Sequence, residues 1–425
     1  MNTNRTPNQT ATALERTRQR LRLLEERDHP YARKVRDAGL SWRDLDSLEA
    51  LSAFPFTTKQ DLQEHYPLGW LGCDRADLVR FHATSGTTGN PTVVAYTASD
   101  LDAWSGYMAW CLHLAGVRRE DTVQVAYGYG LFTGGLGLHG GAERLGASVV
   151  PASGGFSERQ IKLMKDLDVT VLACTPSYAL KLAETWEESG GGPTPLRVGI
   201  FGAEPWSEGL RRQIEDRLGI TALDVYGLSE AMGPGVAMEC PHQNGLHLHP
   251  DSFLAEVVDP VTGRPVAPGE MGELVLTSLH KEAFPVIRYR TRDLTRLLTA
   301  PCPCGTEGPR IERIQGRSDD MLILRGVNVF PSQVEAALLS VEGLSGNYQM
   351  EVWTHEGMQN LVVRCERTPE VPDAASDALA RRASKRLQER LGIRIDFELL
   401  SPGKLPRFEG KAKRVVQAPA PAITR

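Results

Sequence analysis

VTVLACTPSYALKLAETWEESGGGPTPLRVGIFGAEPWSEGLRRQIEDRLGITALDVYG, residues 169–227, decides the fold class. VTVLAC (169–174) is a short β-rich run. Ser177 opens a helical pattern to about Trp186, and the glycines and proline of 190–193 break it. LRVGIFG (196–202) reads as a buried strand. Ser207 opens a second helix to Leu218, and ITALDVYG (220–227) is the next strand. Just upstream, Ser157-Glu158-Arg159-Gln160 has the pattern of a capping box and predicts a helix through Leu167. Strands alternating with helices predict an α/β domain, a sheet with helices on its faces.

The texture changes outward from this core. Phe253–Asp259 and Glu273–Thr277 are strand-like around the turn-rich VTGRPVAPGEMG, which predicts an antiparallel or barrel-like, β-rich subdomain over about 250–318. Near 320 a compact α+β unit begins. Pro331 stands where a helix can start, because its missing N–H costs nothing there. Strands at about 345–353 and 360–366 and a helix at 373–391 follow, then a last strand. The expected organisation is a large domain, 1–318, and a small C-terminal domain, 319–425.

Composition agrees. A chain of 425 residues is too long for a single core and suggests two or three domains. Hydrophobic residues form 41% and charged residues 24%, enough to bury a sizeable core. The net charge of −5 gives no attraction to nucleic acid or to an anionic membrane. No apolar run approaches the roughly 20 residues that span a bilayer. The polar start MNTNRTPNQTATALERTRQR lacks a secretory core, so the expected location is cytoplasmic. Seven cysteines do not suggest a disulfide framework, and Cys73, Cys111, Cys174 and Cys365 read as plain thiols.

Three segments carry chemistry. HATSGTTGNP (82–91) gathers hydroxyls at Thr84, Ser85, Thr87 and Thr88, while Gly86 and Gly89 let backbone N–H groups turn toward an anion. It can cradle phosphates, although its spacing is not that of a Walker loop. A polar turn between strands is the plain alternative. CPHQNGLHLH (240–249) lies about 50 residues before CPCG (302–305), and thiols with imidazoles at that density suit tetrahedral zinc. Two exposed thiols and unrelated histidines are the alternative. YGYGLFTGG (127–135) mixes aromatics with glycines that allow close approach.

TSGTTGNPT resembles the phosphate-binding signature of the adenylate-forming acyl-CoA synthetases, and the chain is most similar to the phenylacetate-CoA ligases. The likeness continues in order through PFTTKQDL, YGYGLFTGGLGLH, TPSYAL, FGAEPWS, YGLSE, YRTRDLT, GRSDDMLILRGVNVFPSQVE and LPRFEGKAKRV, from about residue 30 to 415. The resemblance implies ATP-dependent activation of a small aromatic carboxylic acid as acyl-AMP, then thioester formation with coenzyme A. It implies ATP, Mg²⁺ and coenzyme A as partners, with no nucleic acid or membrane; a homodimer stays open.

It also implies roles for residues. The nucleotide would meet Thr84, Ser85, Gly86, Thr87, Thr88 and Gly89 at its phosphates. Gly202, Ala203, Glu204 and Pro205 would form an adenine wall, with Tyr226 stacked beside it and Gly227 next to Tyr226. Asp293 would read the ribose, and Arg317 would be a second nucleotide contact. Glu230 would hold Mg²⁺, and Lys411 would stabilise the adenylation transition state, although residue reading alone does not separate it from Lys404 or Lys413. Asp319 would be the hinge of a mobile small domain, and Gly326 would enter the site for the coenzyme A step. Tyr129, Phe132, Gly135, Gly233 and Pro234 would line the acyl pocket. Cys240, His247, Cys302 and Cys304 would hold a structural Zn²⁺, clipping the β-rich subdomain to the loop before the hinge.

One departure stands out: the family loop ends Gly-Lys-Pro, and here Asn90 replaces the lysine, removing a point charge near the phosphates. Weaker ATP binding is expected. Two other readings remain open at this level: acyl transfer to a carrier-protein thiol or an amine, and a zinc-stabilised nucleotide-binding protein without ligase activity.

Overall fold

The structure, a computed structural model, describes residues 5–84, 91–324, 327–355, 358–408 and 412–418. Its centre is a nine-stranded mixed sheet. Strands Ser148–Val150, Thr122–Val125, Val171–Cys174, Val198–Gly202 and Thr221–Leu228 run parallel in that spatial order. Val171–Cys174 and Val198–Gly202 are buried throughout, as strands covered on both faces must be. Helices Pro176–Glu188 and Glu208–Leu218 are the crossovers between them. Ser207 caps the second by accepting from the Leu210 N–H, so the sequence expectation of its start is met.

The expected capping box at 157–160 does not form. Helix Ser157–Asp166 follows Phe156 in a left-handed conformation, with no side-chain cap. Gln160 is buried instead. Its amide donates to the Ser153 and Gly155 carbonyls and accepts from Gln124. A buried amide must satisfy all its polar atoms, and this outweighs a solvent-side cap.

Residues 250–318 divide between two sheets. Phe253–Val258, Gly272–Ser278, Tyr289–Thr295 and Gly316–Arg317 form a four-stranded antiparallel sheet. Leu297–Leu298 and Arg310–Ile311 instead return to the edge of the large sheet beside Leu246–Leu248. Ile311 and Leu246 complete its buried core there. Arg211 and Glu239 make a two-pronged ion pair, both fully buried, that ties helix Glu208–Leu218 to the sheet.

From Leu322 onward the chain builds a separate core around Met350, Val363 and Leu387. It contains helices Pro331–Leu338 and Ser376–Leu391. Its four-stranded sheet has the order Asp396–Leu400, Met358–Arg367, Leu344–His355, Val415–Gln417. No helix among the described residues is long and apolar enough to cross a membrane.

Candidate active site

The parallel strands of the large sheet end where open α/β sheets bind ligands, outside their carboxyl ends. Strand Thr221–Leu228 carries Tyr226 and Gly227 to that edge. A side chain at Gly227 would lie 2.0 Å from the Gly233 carbonyl, so only glycine fits. The half-buried Tyr226 donates its hydroxyl to Asp293 Oδ2 at 2.5 Å. Asp293 comes from the other sheet, in Tyr289–Thr295, and is 7% exposed. Arg317 donates to Asp293 Oδ1 at 3.1 Å and grips Asp319 with two bonds of 2.9 Å. The ion-pair partner of Asp293 is therefore Arg317; Arg292 pairs with Glu273 and Arg296 with Glu312. Burial pushes the Asp293 carboxyl up to about 6 against the pull of Arg317 and the Tyr226 hydrogen bond.

Glu230 is buried in the turn between Thr221–Leu228 and Gly233–Glu239. A fully buried lysine fixes that turn. Lys281 Nζ donates to the Ser229 carbonyl at 3.1 Å and the Glu230 carbonyl at 3.0 Å, and lies 4.9 Å from the Tyr96 ring. Burial lowers its pKa to about 8, opposed by Asp100 and Glu230. Sequence reasoning missed it, because a lone lysine after a strand reads as solvent-facing.

The candidate phosphate loop is closed at its base. Thr84 N donates to the Thr92 carbonyl at 3.0 Å, and Thr92 N returns a bond to Thr84 Oγ1 at 3.2 Å. Thr84 thus spends an acceptor site on the loop itself. Ser85, Gly86, Thr87, Thr88, Gly89 and Asn90 lie outside the described residues, as do Gly326 and Lys411.

At the expected adenine wall, a Cβ on Gly202 would meet the Val225 carbonyl at 2.1 Å, while Ala203 and Pro205 are exposed. The Glu204 carboxylate is turned elsewhere. It accepts from Ser177 N and Ser177 Oγ, and from Ala412 N at 2.7 Å.

The aromatic segment divides as well. Tyr129 is half-buried, with its hydroxyl 3.2 Å from His139 Nδ1, and Phe132 is 50% exposed. Gly135 packs against the Gly128 carbonyl. Gly233 has φ +131°, and a Cβ there would strike Trp104 at 2.2 Å. Trp104 donates its indole N–H to the Pro234 carbonyl at 3.0 Å and stacks on Tyr96, centroids 5.2 Å apart. Trp104 is a buried core side chain of helix Ala98–Leu114.

Cys240, His247, Cys302 and Cys304 converge, every ligand atom within 4.8 Å of the others. The Cys240 and Cys302 sulfurs are 3.6 Å apart, and Cys304 Sγ is 3.5 Å from His247 Nε2. Burial lowers the His247 pKa to about 4, leaving the neutral imidazole that metals bind. The group could hold a metal ion. Its position differs from expectation: all four residues lie at the edge of the nine-stranded sheet, clipping the strands flanking 300–309 to Leu246–Leu248.

A model of AMP-binding enzymes matches residues 15–280, and one of the AMP-binding enzyme C-terminal domain matches 326–418. The phenylacetate-coenzyme A ligase of Pseudomonas putida is 47% identical over 410 residues, 95% of this chain and 92% of that protein. The chain belongs to the phenylacetate-CoA ligase family of AMP-binding enzymes. A solved 2-hydroxyisobutyryl-CoA ligase in a postadenylation state, complexed with an acyl-AMP, aligns at TM-score 0.92 with 30% identity. That match covers 98% of this chain and 91% of the other. The same ligase with acyl-AMP and CoA in the thioesterification state aligns at 0.71, with 31% identity and the same coverage. In this member of the phenylacetate-CoA ligase family, the two cores are thus arranged much as in the first state.

Proposed function

We propose that this chain is an AMP-forming ligase that joins a small aromatic carboxylic acid to ATP, releasing pyrophosphate, and then passes the acyl group to the thiol of coenzyme A, releasing AMP. The observation that carries this reading is the buried Asp293 carboxylate, held between Tyr226 and Arg317 at the carboxyl ends of the parallel strands. A carboxylate there accepts from ribose hydroxyls, and the open face of Tyr226 offers adenine a stacking partner. Glu230, a hard oxygen donor on a turn fixed by Lys281, would hold the Mg²⁺ that neutralises the phosphates. Lys411 would meet the charge that builds as the carboxylate attacks the α-phosphorus.

The first half-reaction crowds charge around phosphorus, and the second must release pyrophosphate and admit a thiol to the same carbonyl. Rotation of residues 319–425 against 1–318 about Asp319 would serve both. The pairing of Asp319 with Arg317, itself bonded to Asp293, supports a hinge coupled to nucleotide binding. The closer likeness to the postadenylation structure supports an adenylation-side arrangement.

The Cys240, His247, Cys302 and Cys304 group fits Zn²⁺. Ligands at about 2.3 Å for sulfur and about 2.1 Å for nitrogen give tetrahedral edges of about 3.8 Å and about 3.5 Å. Two of the six separations are 3.6 Å and 3.5 Å, and all lie within 4.8 Å. Four protein ligands leave no open position, so the metal would be structural.

The test is acid-dependent ATP–pyrophosphate exchange screened over aryl and alkyl acids, followed by mass spectrometry with coenzyme A present. An aryl-CoA product is expected. No exchange with any acid would leave a nucleotide-binding protein, and exchange without an acyl-CoA would favour a carrier-protein thiol or an amine.

Asp293 gives a pH signature. Its folded-state pKa of about 6 exceeds the usual 3.8. Its contribution to stability is therefore full below 3.8 and lost as pH rises through about 6. The hydroxyl-accepting form is the ionised one, so KM for ATP should rise as pH falls through about 6. Asp293→Asn should raise KM and flatten that dependence. Exchange assays between about pH 5 and 8 measure both; parallel pH profiles for the two proteins would refute the role.

A further inference from the structure

The segment FGAEPWS is gripped from both sides by the C-terminal part of the chain. The Glu204 carboxylate accepts from Ser177 N at 2.7 Å, at the start of helix Pro176–Glu188, and from Ser177 Oγ. Its second oxygen accepts from Ala412 N at 2.7 Å. Only three residues further, Ser207 N donates at 2.6 Å to Glu335, a buried carboxylate of the C-terminal core that also accepts from the Tyr348 hydroxyl at 3.0 Å. The two halves thus exchange carboxylates across one turn.

Neighbouring contacts continue the seat. Arg414 donates to Ser177 Oγ at 3.3 Å and to the Tyr348 carbonyl at 3.2 Å, and lies 4.4 Å from the Tyr348 ring. A Cβ on Gly209 would meet Leu339 at 2.5 Å, and one on Gly346 would meet Leu180 at 2.8 Å, so the surfaces touch closely. Arg407 and Asn347 both reach Glu184 on helix Pro176–Glu188, each at 3.1 Å.

We infer that Glu204 is a positioning residue of the adenylation step: with Glu335 it forms a reciprocal latch that seats the C-terminal part and fixes the backbone one residue from Lys411. The family resemblance put Glu204 beside adenine, but its carboxylate has no acceptor bond directed there. Two of its three donors belong to its own half of the molecule and stay when the halves separate. The third, Ala412 N–H, exists only in the arrangement seen here. Any rotation of residues 319–425 breaks it, together with the Ser207–Glu335 bond. The latch therefore stabilises one orientation and not the other, and a ligand or mutation that acts on it shifts the population between them. The inference rests on the alternating-domain reading above.

Glu204→Gln keeps shape and removes the charge and one acceptor. A hydrogen bond to a charged group is worth enough to slow acid-dependent ATP–pyrophosphate exchange by about 10- to 100-fold. The expected result is that loss in the exchange rate with KM for ATP little changed. Thioester formation from a supplied acyl-adenylate and coenzyme A should be maintained or faster. Glu335→Gln weakens the other half of the latch without altering the backbone beside Lys411 and should reproduce the split if Glu204→Gln folds poorly. A rise in KM for ATP at an unchanged exchange rate would make Glu204 a nucleotide contact and overturn the inference. Parallel loss of both half-reactions, or no loss in either, would overturn it as well. Lys411→Ala run alongside separates the causes. If it divides the half-reactions and Glu204→Gln does not, the latch alone fails; if Lys411→Ala does not divide them, domain alternation fails and the latch with it.

Discussion

Lys411→Ala is expected to lower acid-dependent ATP–pyrophosphate exchange by about 100- to 1,000-fold, the usual effect of removing a preorganised group from developing charge. Thioester formation from a supplied acyl-adenylate should remain largely intact. The asymmetry follows from timing. A crowded five-coordinate phosphorus forms only in the first half-reaction, and a cation contributes most where charge grows in a site that excludes water. In the second, a thiol attacks a carbonyl already activated by AMP, and the new charge develops on the carbonyl oxygen and on the departing AMP oxygen, with no five-coordinate phosphorus. Single-turnover measurement of each half-reaction is the check. Equal losses in both would count against a lysine that serves one orientation of the C-terminal part.

The second large effect concerns the metal. Purified protein should carry close to one zinc per chain by elemental analysis, and Cys302→Ser should lose it. Without the ion, Cys240, Cys302 and the buried His247 are left packed together with unsatisfied polar atoms; His247 Nδ1 already has no hydrogen-bond partner among the described residues. Burial pushes the Cys240 thiol up to about 12, so in the absence of metal it stays protonated and makes only weak thiol contacts such as that to Cys302. The strands flanking 300–309 should then fray from the sheet edge. A loss of about 3 kcal/mol would lower Tm by roughly 4–5 °C in a domain of this size. Well below the new Tm, exchange activity should persist, because the four ligands leave no catalytic position. Metal-free protein of unchanged Tm would remove the structural role.

Much of the architecture was legible for a local reason. The strands at 169–174 and 196–202 announce themselves because a parallel strand covered on both faces must be apolar along most of its length. Ser207 announces its helix because a cap acts within a few residues. The early part of the chain gave no such signal. Helix Pro7–Glu26 is polar on most faces and buries only Ala13, Thr17, Leu21 and Leu24. Its core partners, including Leu254 and Phe284, are far away in sequence. The capping-box reading at 157–160 failed where a long-range demand, the buried Gln124–Gln160 pair, outweighed a local one.

The candidate site shows the same division. Ordered motifs singled out Tyr226, Glu230, Asp293 and Arg317 as candidates, and the structure links Tyr226, Asp293 and Arg317 by hydrogen bonds. The motifs were silent on Lys281, whose residue type is ordinary on a strand end. They did not foretell the Glu204 hydrogen bonds to Ser177 and Ala412, because a motif records which residue stands at a position and not where its side chain turns.

The sequence by itself determined the alternating α/β core, the separate C-terminal unit and the family, since each rests on periodicity or on ordered motifs along one strand of chain. Tertiary structure alone decided that Asp293 meets Tyr226 across two sheets, that Lys281 is buried beneath Glu230, that the cysteines close on the edge of the large sheet, and that Glu204 faces Ala412. Those are contacts between segments tens to hundreds of residues apart. Their free energy comes from burial and charge pairing that exist only once the separate cores are packed together.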